Sequence, residues 1–239
     1  MTFLLLDHVT YRYPDGTPAL DDVSFALERG DRVALLGPTG AGKSTLLQHL
    51  NGLLAPNAGR IVVDGLVVGR DTAREVRRRV GLVFQNPDDQ LFLPTLLEDV
   101  AFGPLNDGVA AREAGAMAGE TLNQLGLQAE AGRAAHHLSG GERRLAALAT
   151  VLVSSPPILA LDEPSGDLDA RGRHRLATLL RARPETLIVA THDLELARGA
   201  CRRAVVLVEG RVAWDGGLSE LLGSAALLER YGLAMPPGS

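Results

Sequence analysis

Cysteine and lysine each occur once in this 239-residue sequence. The lone Cys201 excludes an intramolecular disulfide and any multi-cysteine metal knuckle. Long apolar runs are missing as well. A spanning helix needs ~18 such residues, and the longest stretches here resemble Ala146–Val153. The start lacks the basic-then-apolar pattern of a secretion signal. Positive charge is not in excess, with 24 Lys+Arg against 29 Asp+Glu and a net charge of −5. That removes the usual footprint of a phosphate-backbone binder, so no nucleic-acid partner is expected. The 46% hydrophobic and 22% charged content excludes wholesale disorder. A soluble cytosolic chain is expected, with one domain or a domain carrying an inserted subdomain.

Of the 24 basic residues, 23 are arginine and one is Lys43. The two types are not interchangeable, because lysine is a point charge on a thin stem and arginine a wide planar fork. Before Lys43 lies Asp31–Leu36, an apolar run of strand length, and after it Thr45–Leu50, a helical pattern. Between them stand Gly37, Pro38, Thr39, Gly40, Ala41, Gly42, Lys43 and Ser44. This is strand, glycine loop and helix, with the full Gly-x-x-x-x-Gly-Lys-Ser spacing. Glycines let backbone N–H groups turn inward around an anion, and the helix N-terminus adds its dipole and free donors. Lys43 is expected to reach the β- and γ-phosphates of a nucleoside triphosphate, and the Ser44 hydroxyl to ligate Mg²⁺.

Such a site calls for an acidic element on a neighbouring strand. Ile158–Leu161 followed by Asp162 and Glu163 supplies it, as a buried parallel strand ending in two carboxylates. Asp162 is assigned to the Mg²⁺ shell through water, and Glu163 to the attacking water as general base. A second anion-binding helix end is expected at Leu138, Ser139, Gly140, Gly141 and Glu142, with Ser139 as the N-cap. Two phosphate-binding helix ends beside one lysine loop suggest two chains closing over shared nucleotide.

At this point the sequence resembles the ATP-binding cassette (ABC) family, over nearly its whole length and in the family's order. Leu138–Glu142 resembles the family signature, with Glu142 in place of the commoner glutamine. The loop at 37–45, Thr45 included, is similar to its Walker A motif. Residues 158–163 are similar to the Walker B strand with its catalytic glutamate. Gln85 resembles the Q-loop glutamine that senses Mg²⁺, Ser165–Asp169 the D-loop, His192 the switch histidine, and Tyr13 the aromatic residue that stacks on adenine. Taken alone, Gln85 reads as a polar strand end, His192 as a turn histidine and Tyr13 as packing. Leu145 and Asp167 depart from the family's usual residues. Asp169 is carried over as the D-loop acid. The resemblance implies a second ATPase subunit, identical or related, whose Ser139 and Gly141 act in trans.

The expected fold is α/β: a P-loop NTPase with a mainly parallel central sheet, an antiparallel β edge subdomain and an inserted α-helical subdomain. Residues 1–85 and 156–232 form the core, 86–155 the helical insertion and 233–239 a frayed tail. Short strands flank the turn Tyr13–Gly16, a hairpin covers 59–68, and parallel strands are expected at Leu82–Gln85, Ile158–Asp162, Leu187–Thr191 and Ala204–Val208. Helices are expected at Glu98–Phe102, Ala110–Leu125 and Glu142–Val153. Adjacent His136 and His137 do not converge on a metal, and Trp214 and Cys201 read as packing. The run Gln85–Phe92, continuing to Pro104, resembles the ATPases of energy-coupling-factor importers, the cobalt-type members especially. That resemblance implies a peripheral place on the cytoplasmic face of the membrane and uptake of cobalt, a related metal ion or a vitamin. It also implies a transmembrane partner, with Gln85–Phe92 as the expected dock. Leu91 and Phe92 read either as core residues of the helical subdomain or as apolar anchors for a partner helix, with Asp88 or Asp89 paired to a partner arginine. The alternative is a soluble ABC-type ATPase acting in cofactor assembly.

Overall fold

The computed structural model describes residues 2–233. Two 11-residue strands open the chain, β1 (Thr2–Arg12) and β2 (Pro18–Glu28), joined by the turn at Tyr13–Gly16. They are longer than expected. Register shifts between Leu6 and Val9 go with left-handed backbone at His8 and Asp22 (φ 51° and 56°), and these bulges break the alternation that marks a long strand. After β3 (Arg32–Leu36) and α1 (Lys43–Leu50) come β4 (Ala58–Val63) and β5 (Leu66–Val67). The order β2-β1-β4-β5 makes an antiparallel sheet.

Next come α2 (Ala73–Arg79), β6 (Val80–Val83), then α3 (Leu96–Asn106), α4 (Ala111–Gln124) and α5 (Gly140–Leu152). The chain returns through β7 (Ile158–Asp162), α6 (Ala170–Ala182), β8 (Thr186–Ala190), α7 (Leu194–Ala200), β9 (Arg203–Val208) and β10 (Arg211–Gly217). It closes with α8 (Leu218–Leu222) and α9 (Ala225–Arg230). The second sheet runs β10-β9-β3-β8-β7-β6, parallel except at β10. Apart from one end residue each (Arg203, Arg32, Thr186 and Asp162), its inner strands are apolar because both faces are covered. Val33, Leu35, Ala160 and Ile188 pack with Leu46, Leu47 and Leu50 of α1 on one face. Leu36, Leu161 and Val189 pack with α5, α6 and α7 on the other. A separate core, with Leu96, Val100, Leu122 and Ala146 among its members, joins α3, α4 and α5.

Among the described residues no strand lies between 86 and 155. Strand β6 ends at Val83, so Gln85 stands beyond it rather than at its tip. Helix α3 is twice the expected length, since the Thr95–Glu98 capping box starts it early and Pro104 is accommodated inside it. Leu233 is no part of a frayed tail: it is 9% exposed, and its N–H donates to Leu228 O. The remaining tail, 234–239, lies outside the described residues. Trp214 packs against the helix-side core, and burial pushes the Cys201 thiol up to about 12.

Candidate nucleotide site

The loop between β3 and α1 is shaped by its glycines. Gly42 caps α1 with φ 98°, and a Cβ there would lie 2.4 Å from the Ala19 carbonyl oxygen of β2, so only glycine fits. The first turn of α1 presents its unpaired N–H groups to the loop, while Thr45, Leu46, Leu47 and Leu50 anchor the helix in the core. Lys43 bends back over the loop, its Nζ donating to the carbonyls of Gly37 (2.7 Å) and Pro38 (3.1 Å). Burial lowers its pKa from the ordinary lysine value, opposed by the nearby charges of Glu163 and Asp162.

Strand β7 delivers those two acids. Asp162 is buried, and burial raises its carboxyl above the usual range, against the hydrogen bond with the Ser44 side chain. Its Oδ1 has no hydrogen-bond partner within the protein. A buried orphan carboxylate oxygen beside a hydroxyl is a donor set suited to a hard, oxygen-seeking cation such as Mg²⁺. At Glu163 the backbone turns left-handed (φ 44°) while its N–H still bonds the Ala190 carbonyl. This takes the side chain out of strand alternation. Its Oε2 then accepts from Thr191 Oγ1 (3.2 Å) and the His192 N–H (3.3 Å), and lies 2.9 Å from His192 Nδ1. Lys43, Glu163 and His192 line one cleft of 790 Å³ together with Gly37, Pro38, Thr39, Asp167 and Arg173.

Other expected site residues lie around this cleft without lining it. Tyr13, 36% exposed, bonds its hydroxyl to Thr45 Oγ1 at 2.8 Å. The Gln85 side chain is exposed, and its carbonyl accepts from Arg144. Ser139 and Glu142 form a reciprocal cap at the start of α5: Glu142 Oε2 accepts from the Ser139 N–H (2.8 Å) and hydroxyl (2.7 Å). Asp169 caps α6 by accepting from the Gly172 N–H at 2.6 Å. Among the described residues no group of three His, Cys, Asp or Glu side chains could hold a metal, His136 and His137 included.

The dock residues divide. Leu91 is buried in the helical core, contrary to the anchor reading, because the turn at Pro87–Asp89 carries it inward. Phe92 remains 62% exposed, edge-on to the 40%-exposed Phe102 at 5.2 Å between ring centres. Asp88 lies 3.8 Å from this chain's own Arg143, and Asp89 accepts from Asn86 Nδ2. Sequence reasoning missed Thr191 as a donor to Glu163, and it missed the buried Arg144. The available signal for Arg144 was its place on the otherwise apolar stripe with Ala147, Leu148 and Val151.

Comparison with known proteins follows the same outline. The profile of the ABC transporter family matches residues 20–166. A putative ABC transporter ATP-binding protein of Streptomyces avermitilis is 50% identical, covering 96% of this chain and 88% of that protein. The cobalt import ATP-binding protein CbiO of Rhodobacter capsulatus is 45% identical over 98% of this chain and 85% of that protein. For the energy-coupling factor transporter ATP-binding protein EcfA of Methanothermobacter thermautotrophicus the figures are 44%, 97% and 76%. The solved structure of cbiO1 from Clostridium perfringens, part of the ABC transporter complex cbiONQ, superposes with a TM-score of 0.82 at 34% identity. It covers 98% of this chain and 96% of that one.

Proposed function

The chain belongs to the ABC transporter family as an ATP-binding cassette ATPase, and from that premise we propose that it drives an importer of the energy-coupling-factor type. The observation that carries the catalytic reading is the convergence of Lys43, Asp162, Glu163 and His192 at the C-terminal edge of the parallel sheet. Lys43 exchanges the carbonyls of Gly37 and Pro38 for the β- and γ-phosphates, with backbone N–H groups of Thr39–Thr45 completing the cradle. Glu163 takes the proton of the attacking water at its carboxylate, and Thr191 and His192 hold that carboxylate in place. His192 is exposed on the cleft side and orients the water and the γ-phosphate. Ser44, Gln85 and, through water, Asp162 would hold Mg²⁺, which would neutralise charge on the phosphate oxygens. Tyr13 stacks on the adenine ring.

A second ATPase subunit, identical or related, brings Leu138–Glu142 to the phosphates held by this chain, with Asp169 in the adjoining loop. The names of CbiO, a cobalt import protein, and EcfA, an energy-coupling factor transporter protein, support work with a membrane-spanning partner; we place the chain peripherally on the cytoplasmic face, serving uptake of cobalt, a related metal ion or a vitamin. No helix among the described residues is long and apolar enough to cross a membrane itself. The exposed Phe92–Phe102 pair supports the docking region, with Phe92 held outward because Asp99 Oδ1 accepts from both the Phe92 and Leu93 N–H groups at 3.0 Å.

The test of the catalytic reading is Glu163→Gln, which keeps the shape of the side chain and cannot accept the proton. ATP turnover should fall by about 10²–10⁴-fold while ATP binding persists, and gel filtration with Mg-ATP should show a dimer. Turnover at the wild-type rate in this variant removes Glu163 from the role of base.

A further inference from the structure

We infer that Arg144 is a positioning residue that ties helix α5 to the Gln85 loop and to the turn carrying Glu163; the inference rests on the ATPase reading above. One face of α5 packs on the central sheet through Ala147, Leu148 and Val151. Arg144 continues that stripe one turn earlier, beyond the ends of β6 and β7, where the sheet has run out of side chains to meet it. It is 6% exposed. Each of its three nitrogens donates: Nη1 to the Gln85 carbonyl, Nε to the Gly166 carbonyl at 3.2 Å, and Nη2 to Asp167 Oδ2 at 3.1 Å.

The loops are shaped around this guanidinium. A Cβ on Gly166 would stand 2.7 Å from Arg144 Nη2, so the backbone approaches as closely as glycine allows. The Gly166 N–H bonds the Glu163 carbonyl at 3.2 Å, closing the turn that carries the general base. Asp167 adopts φ 60° and turns its carboxylate back to the arginine. Any displacement of α5 therefore reaches Gln85 and the Glu163 turn through one side chain. A lysine has a single donor point and could not hold three acceptors in this planar arrangement.

Steady-state ATPase kinetics on Arg144→Lys, Asp167→Asn and the double variant test this. Among the described residues no hydrogen bond or ion pair joins Arg144 to the Lys43 loop, so KM for ATP should stay within about twofold while kcat falls, about tenfold in Arg144→Lys and about fivefold in Asp167→Asn. The double variant should be no slower than Arg144→Lys, because both changes remove the same contact. Multiplicative losses in the double variant, or a rise in KM with kcat unchanged, overturn the inference. Should Arg144→Lys fail to fold, the exposed Asp167→Asn decides alone. A fall in kcat with an unaltered melting temperature supports the coupling, and an unaltered kcat overturns it. A wild-type chain that hydrolyses ATP through Glu163 while Asp167→Asn matches it leaves the ATPase reading standing and this inference refuted. A wild-type chain without ATPase activity overturns both.

Discussion

The thin stem and point charge of Lys43 let it fold back over its loop onto the Gly37 and Pro38 carbonyls, where a guanidinium would be the wider group. Asp162 shows the opposite economy, a side chain that suits the chemistry and burdens the fold. Burial is the main cause of its raised pKa, so the folded value lies above the ordinary ~3.9 of the unfolded chain. A carboxyl shifted in this direction stabilises only below the unfolded value, and that contribution is lost as the pH rises through the folded value. Above the unfolded value the raised pKa is therefore a cost to stability. Asp162→Asn preserves an oxygen for the Ser44 bond and carries no charge. Its melting temperature should exceed that of wild type at pH 7, the gap closing as the pH approaches 4, while Mg-dependent ATP hydrolysis is lost. Calorimetry at the two pH values checks this, and a variant that melts at or below wild type at pH 7 contradicts it.

At the scale of elements, what was legible in the sequence was what local chemistry dictates. The apolar run at Ile158–Asp162, the glycine loop ahead of α1 and the Ser139 cap all lie where the residues say. Strands β1 and β2 were read short because bulges interrupt their alternation, and α3 was read short because Pro104 looks like a stop. Arg144 escaped notice because its partners lie 59, 22 and 23 residues away along the chain. The loop before α3 is a similar case, since Leu91 and Phe92 are alike in composition and opposite in burial. The Phe92–Phe102 pair is thus left as the apolar part of the proposed dock. An exposed change such as Phe92→Ser typically alters stability by about 0.5 kcal/mol or less, and the less exposed Phe102 adds a larger loss, so Phe92→Ser/Phe102→Ser should stay folded with a lowered melting temperature. Copurification with the membrane component and solute uptake should both be lost. If the double variant still copurifies and supports uptake, the dock lies elsewhere on the chain.

At the scale of the whole molecule, the placement of the two phosphate-binding elements underlies the proposal that the site is shared between two chains. Strand ends place Lys43, Asp162, Glu163 and His192 on the central sheet, whereas Leu138–Glu142 open a helix of the separate helical core and do not line the cleft of their own chain. The Ser139–Glu142 cap fixes that helix start with its hydroxyl and carboxylate already bonded to each other and does not use the N–H groups of Gly140 and Gly141, the donors proposed for a neighbour's phosphates. If the neighbour is a second copy, defects in the two halves complement each other. A Lys43→Ala chain keeps a working Ser139 helix, and a Ser139→Arg chain keeps a working lysine loop. Their heterodimer contains one site with both halves intact and one with both broken. Mixing the two inactive chains should restore ATP hydrolysis that neither parent shows, in proportion to the heterodimer formed. Heterodimers demonstrated by differential tagging and still inactive would falsify the composite site, because each defect would then act within its own chain.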